Sequence, residues 1–442
     1  MKKYARYKDS GISWIGDVPE HWETKRVGAY FNENKALNKD FIFKKAYQFK
    51  FGSLVLKNEL GDEREYEDTY VKYTVLNEND IVFNGLNLNY DFVSQRVAIC
   101  PAPSIITSAY IAMSPKNSID SMYYLWLFKT MDNKKMLHGM GSGIRLTLSF
   151  ADIKNQLIPI PPLSEQKAIA EYLDKKTAQI NELVSAKQKQ IELLKEYKQS
   201  VIANAVTGKI DEINDTRHFS TLVELSSMRR MGSRPTDKRR EKINWIGYLP
   251  RHWQKRKFQY LFKERSEKNH PEEPVLCATQ SRGVIPQSMY ENRVVVVNTG
   301  FEGLKFVKKG DFVISLRSFQ GGIEYAHYQG IISAAYTILY INTKDLYSDY
   351  VRLLFKSVPF IGLLQTCVTG IREGQNINND LLRKQIIPVP PLSEQKEIVA
   401  YIEKKVSSID SQIASIENQI ANLNEYKQSL ISDVVTGKVK VC

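Results

Sequence analysis

The sequence predicts an α/β (α+β) protein with two globular domains joined by two long helices, which pair as an antiparallel coiled coil. Three observations predict this fold class. A segment of about 50 residues occurs twice in the chain, each copy has apolar residues at helical spacing, and each copy follows a stretch of short β-rich runs. The chain is therefore expected to have an internal pseudo-twofold repeat.

The repeat is clearest in residues 158–209 and 387–438, which match at roughly half of their positions without a gap. A register of 229 residues pairs Pro159 with Pro388. A weaker match upstream pairs the W-I-G and P-x-H-W sequences that end at Trp22 and Trp253, in a register of 231 residues. Each half of the chain thus has the same order of segments. The duplicated P-x-H-W favours a structural role for His21 and His252, with the tryptophans as core anchors.

Each repeated segment is predicted to be one helix that begins after a Pro-Pro pair. The copies agree in their end signals, which are a serine N-cap, a first-turn glutamate and a C-terminal glycine: Ser164, Glu165 and Gly208, and Ser393, Glu394 and Gly437. A helix from Ser164 to Val206 would have about 43 residues and a length of about 64 Å.

A helix of this length cannot bury its apolar stripe alone, and its copy is the expected partner. The alternative is that each helix packs only on a neighbouring globular domain. The residues predicted for the helix interface are Ile180, Ile191, Leu194, Tyr197, Ile409, Ile420, Leu423 and Tyr426.

The order of segments predicts a domain at residues 1–157, a helix at 158–210, a linker at 211–244, a second domain at 245–386 and a second helix at 387–442. Strands are expected at residues 80–83, 294–297 and 311–315, and helices at 122–130 and 347–356. The linker contains a basic run, residues 229–242, which is either a solvated connector or a phosphate contact.

Composition narrows the class of protein. A net charge of +13 favours a polyanionic partner. The 4 cysteines are far apart and form no C-x-x-C pair, which argues against a zinc ribbon or a disulfide scaffold. Neither a signal-peptide h-region nor a long apolar span is evident, so we expect a cytoplasmic protein without a membrane partner.

The layout resembles the specificity (S) subunits of type I restriction-modification systems. The resemblance covers nearly the whole chain. It depends on the opening Y-K-D-S-G-I-S-W-I-G-D-V-P-E-H-W (Tyr7 to Trp22), the P-x-P-P-L-S-E-Q-K segments from Pro159 and Pro388, and the E-Y-K-Q-S…V-T-G-K endings at residues 196–209 and 425–438.

The resemblance implies that each globular domain is a target-recognition domain that reads one half of a bipartite, asymmetric site in double-stranded DNA. It also implies that the helices set the spacing of the half-sites and dock two methyltransferase (M) subunits, which methylate adenine, and that ATP-dependent restriction (R) subunits join them. A 64 Å rod spans at most about 19 base pairs.

No motif for chemistry stands out in the chain. The string at residues 87–90 lacks the prolines of an N-P-P-Y methyltransferase pocket, the T-G-K sequences lack the other residues of a phosphate loop, and no H-E-x-x-H occurs. We therefore expect a non-catalytic chain that binds no metal or cofactor. The resemblance implies that SAM, ATP and Mg²⁺ are used by its partner subunits.

Base edges are read by Arg, Asn, Gln, Ser and Thr from loops that enter the major groove. The preferred reading loop is 316–322, with its counterpart at 84–96; the pair at 141–145 and 369–376 could hold phosphate or base. The candidate DNA-contacting residues are Asn84, Asn87, Asn89, Gln95, Arg96, Ser142, Arg145, Arg317, Ser318, Gln320, Arg372, Gln375 and Asn376.

Two other functions stay open on the sequence alone. A single-chain nuclease would need SAM or metal binding by the chain itself, and a coiled-coil scaffold would bind proteins without binding DNA. The sequence also does not separate a full restriction system from a modification complex.

Overall fold

A computed structural model of the chain describes residues 2–58, 66–88, 95–116, 119–141, 143, 146–209, 240–291, 300–370 and 376–441. The chain forms two compact units. Unit 1 contains Met1–Gln188 and Glu417–Cys442, and unit 2 contains Lys189–Ile416. Each unit therefore combines one globular domain with the first part of its own long helix and the last part of the other copy's helix.

The helices of the described residues are α1 (Val27–Tyr30), α2 (Glu67–Tyr70), α3 (Ser121–Asn133), α4 (Phe150–Lys154), α5 (Leu163–Val206), α6 (Phe258–Leu261), α7 (Ser318–Gly321), α8 (Ser348–Phe355), α9 (Val358–Thr366), α10 (Asn379–Arg383) and α11 (Leu392–Val435). The predicted helices at residues 122–130 and 347–356 correspond to α3 and α8, and both predictions are confirmed.

The strands of unit 1 are β1 (Tyr7–Asp9), β2 (Asp17–Pro19), β3 (Glu23–Arg26), β4 (Phe31–Glu33), β5 (Tyr47–Lys50), β6 (Ser53–Leu56), β7 (Thr74–Leu76), β8 (Ile81–Phe83), β9 (Val97–Ile99), β10 (Ser104–Ile106), β11 (Ile111–Pro115) and β12 (Leu157–Ile160).

The strands of unit 2 are β13 (Arg240–Ile243), β14 (Gly247–Pro250), β15 (Gln254–Lys257), β16 (Phe262–Arg265), β17 (Leu276–Thr279), β18 (Gly283–Pro286), β19 (Lys305–Val307), β20 (Phe312–Ile314), β21 (Glu324–Tyr325), β22 (Gly330–Ile332), β23 (Thr337–Ile341), β24 (Val368–Thr369), β25 (Asn376–Ile377) and β26 (Ile386–Val389). The predicted strands at 80–83 and 311–315 are β8 and β20; the one at 294–297 lies outside the described residues.

The two domains share one topology. The largest sheet has the order β4-β11-β8-β9 in unit 1 and β16-β23-β20-β21 in unit 2. The smaller pairs also correspond, for example the hairpin β5-β6 with β17-β18, and β3-β12 with β15-β26. Every pairing between these strands is antiparallel, so each domain is of the α+β type. The sequence repeat is thus a repeat of fold.

Within unit 1 the two long helices run antiparallel. Lys187 Nζ donates to Gln419 Oε1, and Lys427 Nζ donates to Asn181 Oδ1 at 2.9 Å. Residue numbers therefore increase along α5 in the direction in which they decrease along α11. Residues of both helices share one core with the domain, among them Ile169, Leu173, Leu430 and Val434. The apolar stripe is therefore covered by the other helix and by the domain together.

Unit 2 repeats this packing. Lys198 Nζ lies 2.7 Å from Asp410 Oδ1, and the core contains Ala205 and Val206 of α5 with Ile398 and Ile402 of α11. The antiparallel pairing is confirmed, and the alternative of packing on a domain also holds in part. Of the predicted interface residues, Ile180, Ile191 and Ile409 are buried, Leu194, Tyr197, Ile420 and Leu423 are half-buried, and Tyr426 is exposed.

The C-terminal glycines end the helices as predicted. Gly208 and Gly437 have φ of +74° and +73°. The amide of Lys209 donates to the carbonyl of Asn204 at 2.8 Å, and that of Lys438 to Asp433 at 2.8 Å, which is the Schellman pattern. The prediction that the serines are the N-cap residues is wrong. Because the carbonyl of Pro162 already accepts from the amide of Gln166 at 3.0 Å, Ser164 lies inside the first turn.

A first-turn glutamate joins each helix to the entrance of its domain. Glu165 Oε2 accepts hydrogen bonds from Trp22 Nε1 at 3.0 Å and from the hydroxyl of Tyr4 at 2.9 Å, and Oε1 lies 2.6 Å from His21 Nε2. Burial opposes ionisation of Glu165, but these hydrogen bonds outweigh it and lower the pKa of the carboxyl. The carboxylate therefore stabilises unit 1 above the ordinary pKa of a glutamate, and this contribution is lost as the pH falls through the lowered value.

The same junction occurs in unit 2. Trp253 Nε1 donates to Glu394 Oε1 at 2.9 Å, and His252 Nε2 lies 2.7 Å from Glu394 Oε2. The prediction that the P-x-H-W tryptophans are core anchors is confirmed, since Trp22 and Trp253 are both buried.

A buried tyrosine attaches the end of the other copy's helix to each domain. Tyr123 of α3 donates its hydroxyl to the carbonyl of Val435 at 2.8 Å, and Tyr350 of α8 donates to that of Val206 at 3.2 Å. Burial raises the pKa of both phenols, so they stay neutral donors. Each domain therefore contacts the start of one helix and the end of the other.

Two further findings concern the cysteines and the question of membrane-spanning helices. Cys100, Cys277 and Cys367 are free, buried thiols. Among the residues that the structure describes, no helix is both long enough and apolar enough to cross a membrane.

Candidate nucleic-acid interface

The first candidate loop follows β8 and returns to β9. Asn84 is half-buried, and its Oδ1 accepts from the amide of Leu86 at 3.3 Å. Asn87 and Gln95 are exposed and have φ of +52° and +79°, in the left-handed region that few residues other than glycine adopt. The loop thus presents the amide side chains of Asn87 and Gln95 to solvent.

Arg96 holds this loop together from inside. Its side chain is buried, with 9% of the residue exposed. The guanidinium donates to the carbonyls of Asn84, Leu86 and Asn87 at 3.0, 2.7 and 3.2 Å, and the Arg96 amide donates to Asp132 Oδ2 at 2.7 Å. This geometry makes Arg96 a positioning residue for Asn84 and Asn87.

The second candidate loop follows β20, the counterpart of β8. The sequence predicted a flexible loop, whereas residues Ser318–Gly321 form one helical turn, α7. Ser318 is 1% exposed, and its Oγ accepts from the amide of Ser315 at 2.9 Å, so this side chain shapes the turn. Arg317 and Gln320 are exposed on the same turn.

Asn376 is exposed in β25, where it pairs with Thr369 of β24. The remaining candidates, and most of the basic linker run, lie outside the described residues: Asn89, Ser142, Arg145, Arg372 and Gln375. The described candidates that face solvent are thus Asn87 and Gln95 in unit 1, and Arg317, Gln320 and Asn376 in unit 2.

Lys356, which was not predicted from the sequence, connects the second loop to the hairpin β17-β18 through hydrogen bonds. Lys356 Nζ donates to the carbonyls of Gln280 and Gly321 at 3.1 and 2.9 Å, and to Glu324 Oε1 at 2.6 Å. Burial raises the pKa of Glu324 to about 7, although Lys356 acts in the opposite direction. Nothing in the local sequence predicts this cluster, because its members lie up to 76 residues apart.

We expect Lys356→Met to destabilise unit 2 more at high pH than at low pH. Since the folded pKa of Glu324 is raised to about 7, its favourable contribution is present at low pH and is lost as the pH rises through that value. Without Lys356 the ionised carboxylate would be buried unpaired, so the loss in free energy of unfolding should be about 3 kcal/mol near pH 8 and clearly smaller near pH 5.5. Urea unfolding at the two pH values measures this difference.

The control for that experiment is Glu324→Gln, which should remove most of the difference between the two pH values in the Lys356→Met background. An equal loss at both pH values would show that Lys356 acts through packing alone.

Across the parts of the chain that the structure describes, no group of three or more His, Cys, Asp or Glu side chains could hold a metal ion.

Comparison with known proteins identifies the family of the repeated unit. The family model described as type I restriction modification DNA specificity domain matches residues 19–193 and again residues 252–425. Each match contains one P-x-H-W tryptophan, one globular domain and most of one long helix. The family is defined by DNA specificity, which confirms the predictions of a specificity subunit and of a non-catalytic chain.

Curated relatives and solved structures agree with this match. The specificity subunit of the type I restriction enzyme EcoKI from Escherichia coli (strain K12) is 24% identical over 301 residues, which cover 64% of this chain and 57% of that protein. The MjaVIII specificity subunit of Methanocaldococcus jannaschii is 28% identical over 212 residues, 44% of each chain. The chain thus spans about half the length of the curated relatives it matches.

Two solved structures share the fold. The HsdS subunit from Thermoanaerobacter tengcongensis has a TM-score of 0.54 and 16% identity, over 96% of this chain and 98% of that one. A chain from a structure of complex assembly and conformational transition in a type I R-M system has a TM-score of 0.65 and 13% identity, over 96% and 99% of the two chains. With both domains matched by the family model, the chain belongs to the type I restriction modification DNA specificity family.

Proposed function

We propose that this chain reads a bipartite, asymmetric sequence in double-stranded DNA, one half-site with each domain. The observation that carries the proposal is that the two domains have the same topology but expose different side chains at equivalent loops. At the loop after the equivalent strands β8 and β20, unit 1 presents the amides of Asn87 and Gln95, and unit 2 presents Arg317 and Gln320. Amides suit adenine and arginine suits guanine, so the two domains are equipped for different bases.

The chain supplies recognition and its partners supply chemistry. In this proposal two methyltransferase (M) subunits dock on the long helices and methylate adenine with SAM, and restriction (R) subunits that use ATP and Mg²⁺ join the complex in the cytoplasm. The helix residues that remain for docking are those that the helix pair leaves accessible. Tyr426 is 48% exposed, and Tyr197 is half-buried at the matching position of the other copy.

The helices also set the spacing between half-sites in this proposal. Each has 44 residues, which corresponds to about 66 Å at 1.5 Å per residue. Successive base pairs of B-DNA are about 3.4 Å apart along the helix axis, so a rod of this length spans about 19 base pairs at most.

Arg317→Ala should relax recognition at one position of one half-site. Loss of a bidentate contact to guanine costs about 1–3 kcal/mol of discrimination, or about 5- to 150-fold in relative affinity. Competition binding with duplexes that vary one base at a time measures this effect. A uniform loss of affinity for all duplexes would instead identify Arg317 as a phosphate contact.

The experiment that tests the function is single-molecule sequencing of adenine methylation in a host that carries this chain with its methyltransferase subunit. Residues 22–153 are then exchanged for the same segment of another family member that keeps the tryptophan at position 22 and the tyrosine at position 123. These residues bind Glu165 and Val435 and would keep the foreign domain seated.

A split methylation motif in which only one half changes on exchange supports the proposal. If no split motif is found, or both halves change together, the assignment of one half-site to each domain is wrong.

A further inference from the structure

The first hairpin of unit 1 carries a phenylalanine at its tip. Strands β5 and β6 pair from Tyr47 with Leu56 to Lys50 with Ser53, which leaves Phe51 and Gly52 as a two-residue turn. Both have positive φ, +49° and +70°. Asn-Gly is the sequence such turns prefer, and an aromatic residue in the first position is conformationally costly. Phe51 is nevertheless 81% exposed, so burial in this chain does not offset that cost.

The tip lies against the first candidate reading loop. A Cβ atom built on Gly52 would be 3.4 Å from the Cβ of Gln95. Gly52 therefore packs against one of the exposed amide side chains that we assign to base reading, and Phe51 is its neighbour in the turn.

The segment that bears the hairpin is strongly basic. Residues 34–57 contain six lysines and one acidic residue, Asp40. Five of the lysines are exposed: Lys35, Lys39, Lys44, Lys45 and Lys50. An exposed aromatic side chain in a lysine-rich segment suits a polyanion whose interior offers flat apolar rings, and duplex DNA has both properties.

The equivalent hairpin of unit 2 lies at the same place beside the second reading loop. Its turn consists of Gln280, Ser281 and Arg282, all exposed. Lys356 bonds both Gln280 and Gly321, and so fixes this turn to α7. The turn lines a cleft of about 650 Å³ together with His327 and Arg352. The two domains thus place a hairpin turn against the reading loop, with an arginine in one domain and a phenylalanine in the other.

We propose that these hairpin turns are a second DNA-contacting element in each domain, and that Phe51 stacks on a base or wedges between base pairs of its half-site. The inference rests on the proposed function and adds a residue to it. Apolar side chains inserted at a base step unstack it and bend the duplex, and Arg282 would act on an edge or a phosphate instead. The two half-sites would then differ in how the DNA is deformed as well as in which bases are read.

The test measures binding of the full chain, in complex with its methyltransferase subunit, to a fluorescent duplex that contains the methylated motif. Phe51→Ala should weaken binding by about 5- to 150-fold, because one base stacked on an aromatic ring contributes that much. Phe51→Trp should retain most of the affinity. The matched control is Leu157→Ala, an exposed apolar residue on β12 at the helix end of the same domain, which should change affinity by less than about twofold.

A second measurement places the effect on the DNA. With 2-aminopurine at successive positions of the unit 1 half-site, the wild-type complex should increase the fluorescence at one step, and Phe51→Ala should abolish that increase. Unchanged affinity and unchanged fluorescence in Phe51→Ala would overturn the inference. So would a variant that binds DNA normally once assembled but associates poorly with the methyltransferase, since Phe51 would then contact protein.

Failure of the proposed function itself gives a different result. If the wild-type complex does not distinguish the motif duplex from a scrambled one, half-site reading is wrong, and the inference about Phe51 falls with it.

Discussion

Trp22→Ala should lower the free energy of unfolding of unit 1 by about 4 kcal/mol, the middle of the range for loss of a buried aromatic side chain. Trp22 is fully buried, and its indole N–H donates to Glu165 at 3.0 Å. The substitution therefore leaves a cavity and removes one of the donors that keep the Glu165 carboxylate ionised. Hydrogen exchange of peptides from the first turns of α5, combined with urea unfolding, measures the loss where it is expected.

Two variants separate the contributions. Trp22→Phe keeps much of the ring volume and removes the donor, so it should cost about 1–2 kcal/mol and shift the acid unfolding of unit 1 to higher pH as the pKa of Glu165 returns towards its ordinary value. Trp14→Ala, at a half-buried tryptophan of the same unit, should cost about 1 kcal/mol. If Trp14→Ala and Trp22→Ala lowered the free energy of unfolding equally, the contact between Trp22 and Glu165 would contribute no more to stability than the packing of another tryptophan in unit 1.

The junction also shows where sequence reasoning reached its limit. A glutamate in a first turn is explained locally by the helix dipole, and that explanation predicts no contact with a tryptophan 143 residues away. The available signal was the duplication itself. The P-x-H-W and S-E-Q sequences recur together in both halves, as expected for residues that contact each other.

Elements defined by local periodicity could be predicted well. The long helices, their glycine ends and the strands β8 and β20 depend on short-range backbone rules, and these are the same in both copies. The pairing of the long helices could be predicted because an isolated apolar stripe of this length needs a partner. That each helix contributes to both units depends on contacts between distant residues and is absent from the local pattern.

The candidate site could be predicted only as loops. The strands that precede the loops were correctly placed, but residue type alone does not tell an exposed reader from a buried support. Arg96 and Ser318 have the side chains of base readers, yet both are buried in hydrogen bonds that shape their loops. Phe51 was missed because an exposed aromatic residue at a hairpin tip has no periodic signal. The assignments of Arg317, Gln320, Asn87, Gln95 and Asn376 stay predictions.

Gly437→Ala should destabilise unit 1 by about 3 kcal/mol, although it adds a single methyl group at the end of α11. Gly437 has φ of +73°, where any Cβ atom costs about 1 kcal/mol. A Cβ atom there would also overlap Cδ of Pro19 and lie 2.7 Å from Cγ, so a rigid proline ring or the helix end must move. The control is Gly16→Ala in the same unit. Gly16 has φ of +70° with no atom within 4 Å of the new Cβ, so this substitution should cost about 1 kcal/mol.

Urea unfolding and hydrogen exchange at residues 430–441 measure the difference between the two variants. Equal costs at the two glycines would show that contact with Pro19 contributes nothing. Because Gly437 belongs to the second copy of the repeat and Pro19 to the first, a larger loss at Gly437 would mean that unit 1 is completed by the end of the other copy's helix. Under the proposed function, methylation of the split site should then fall as well.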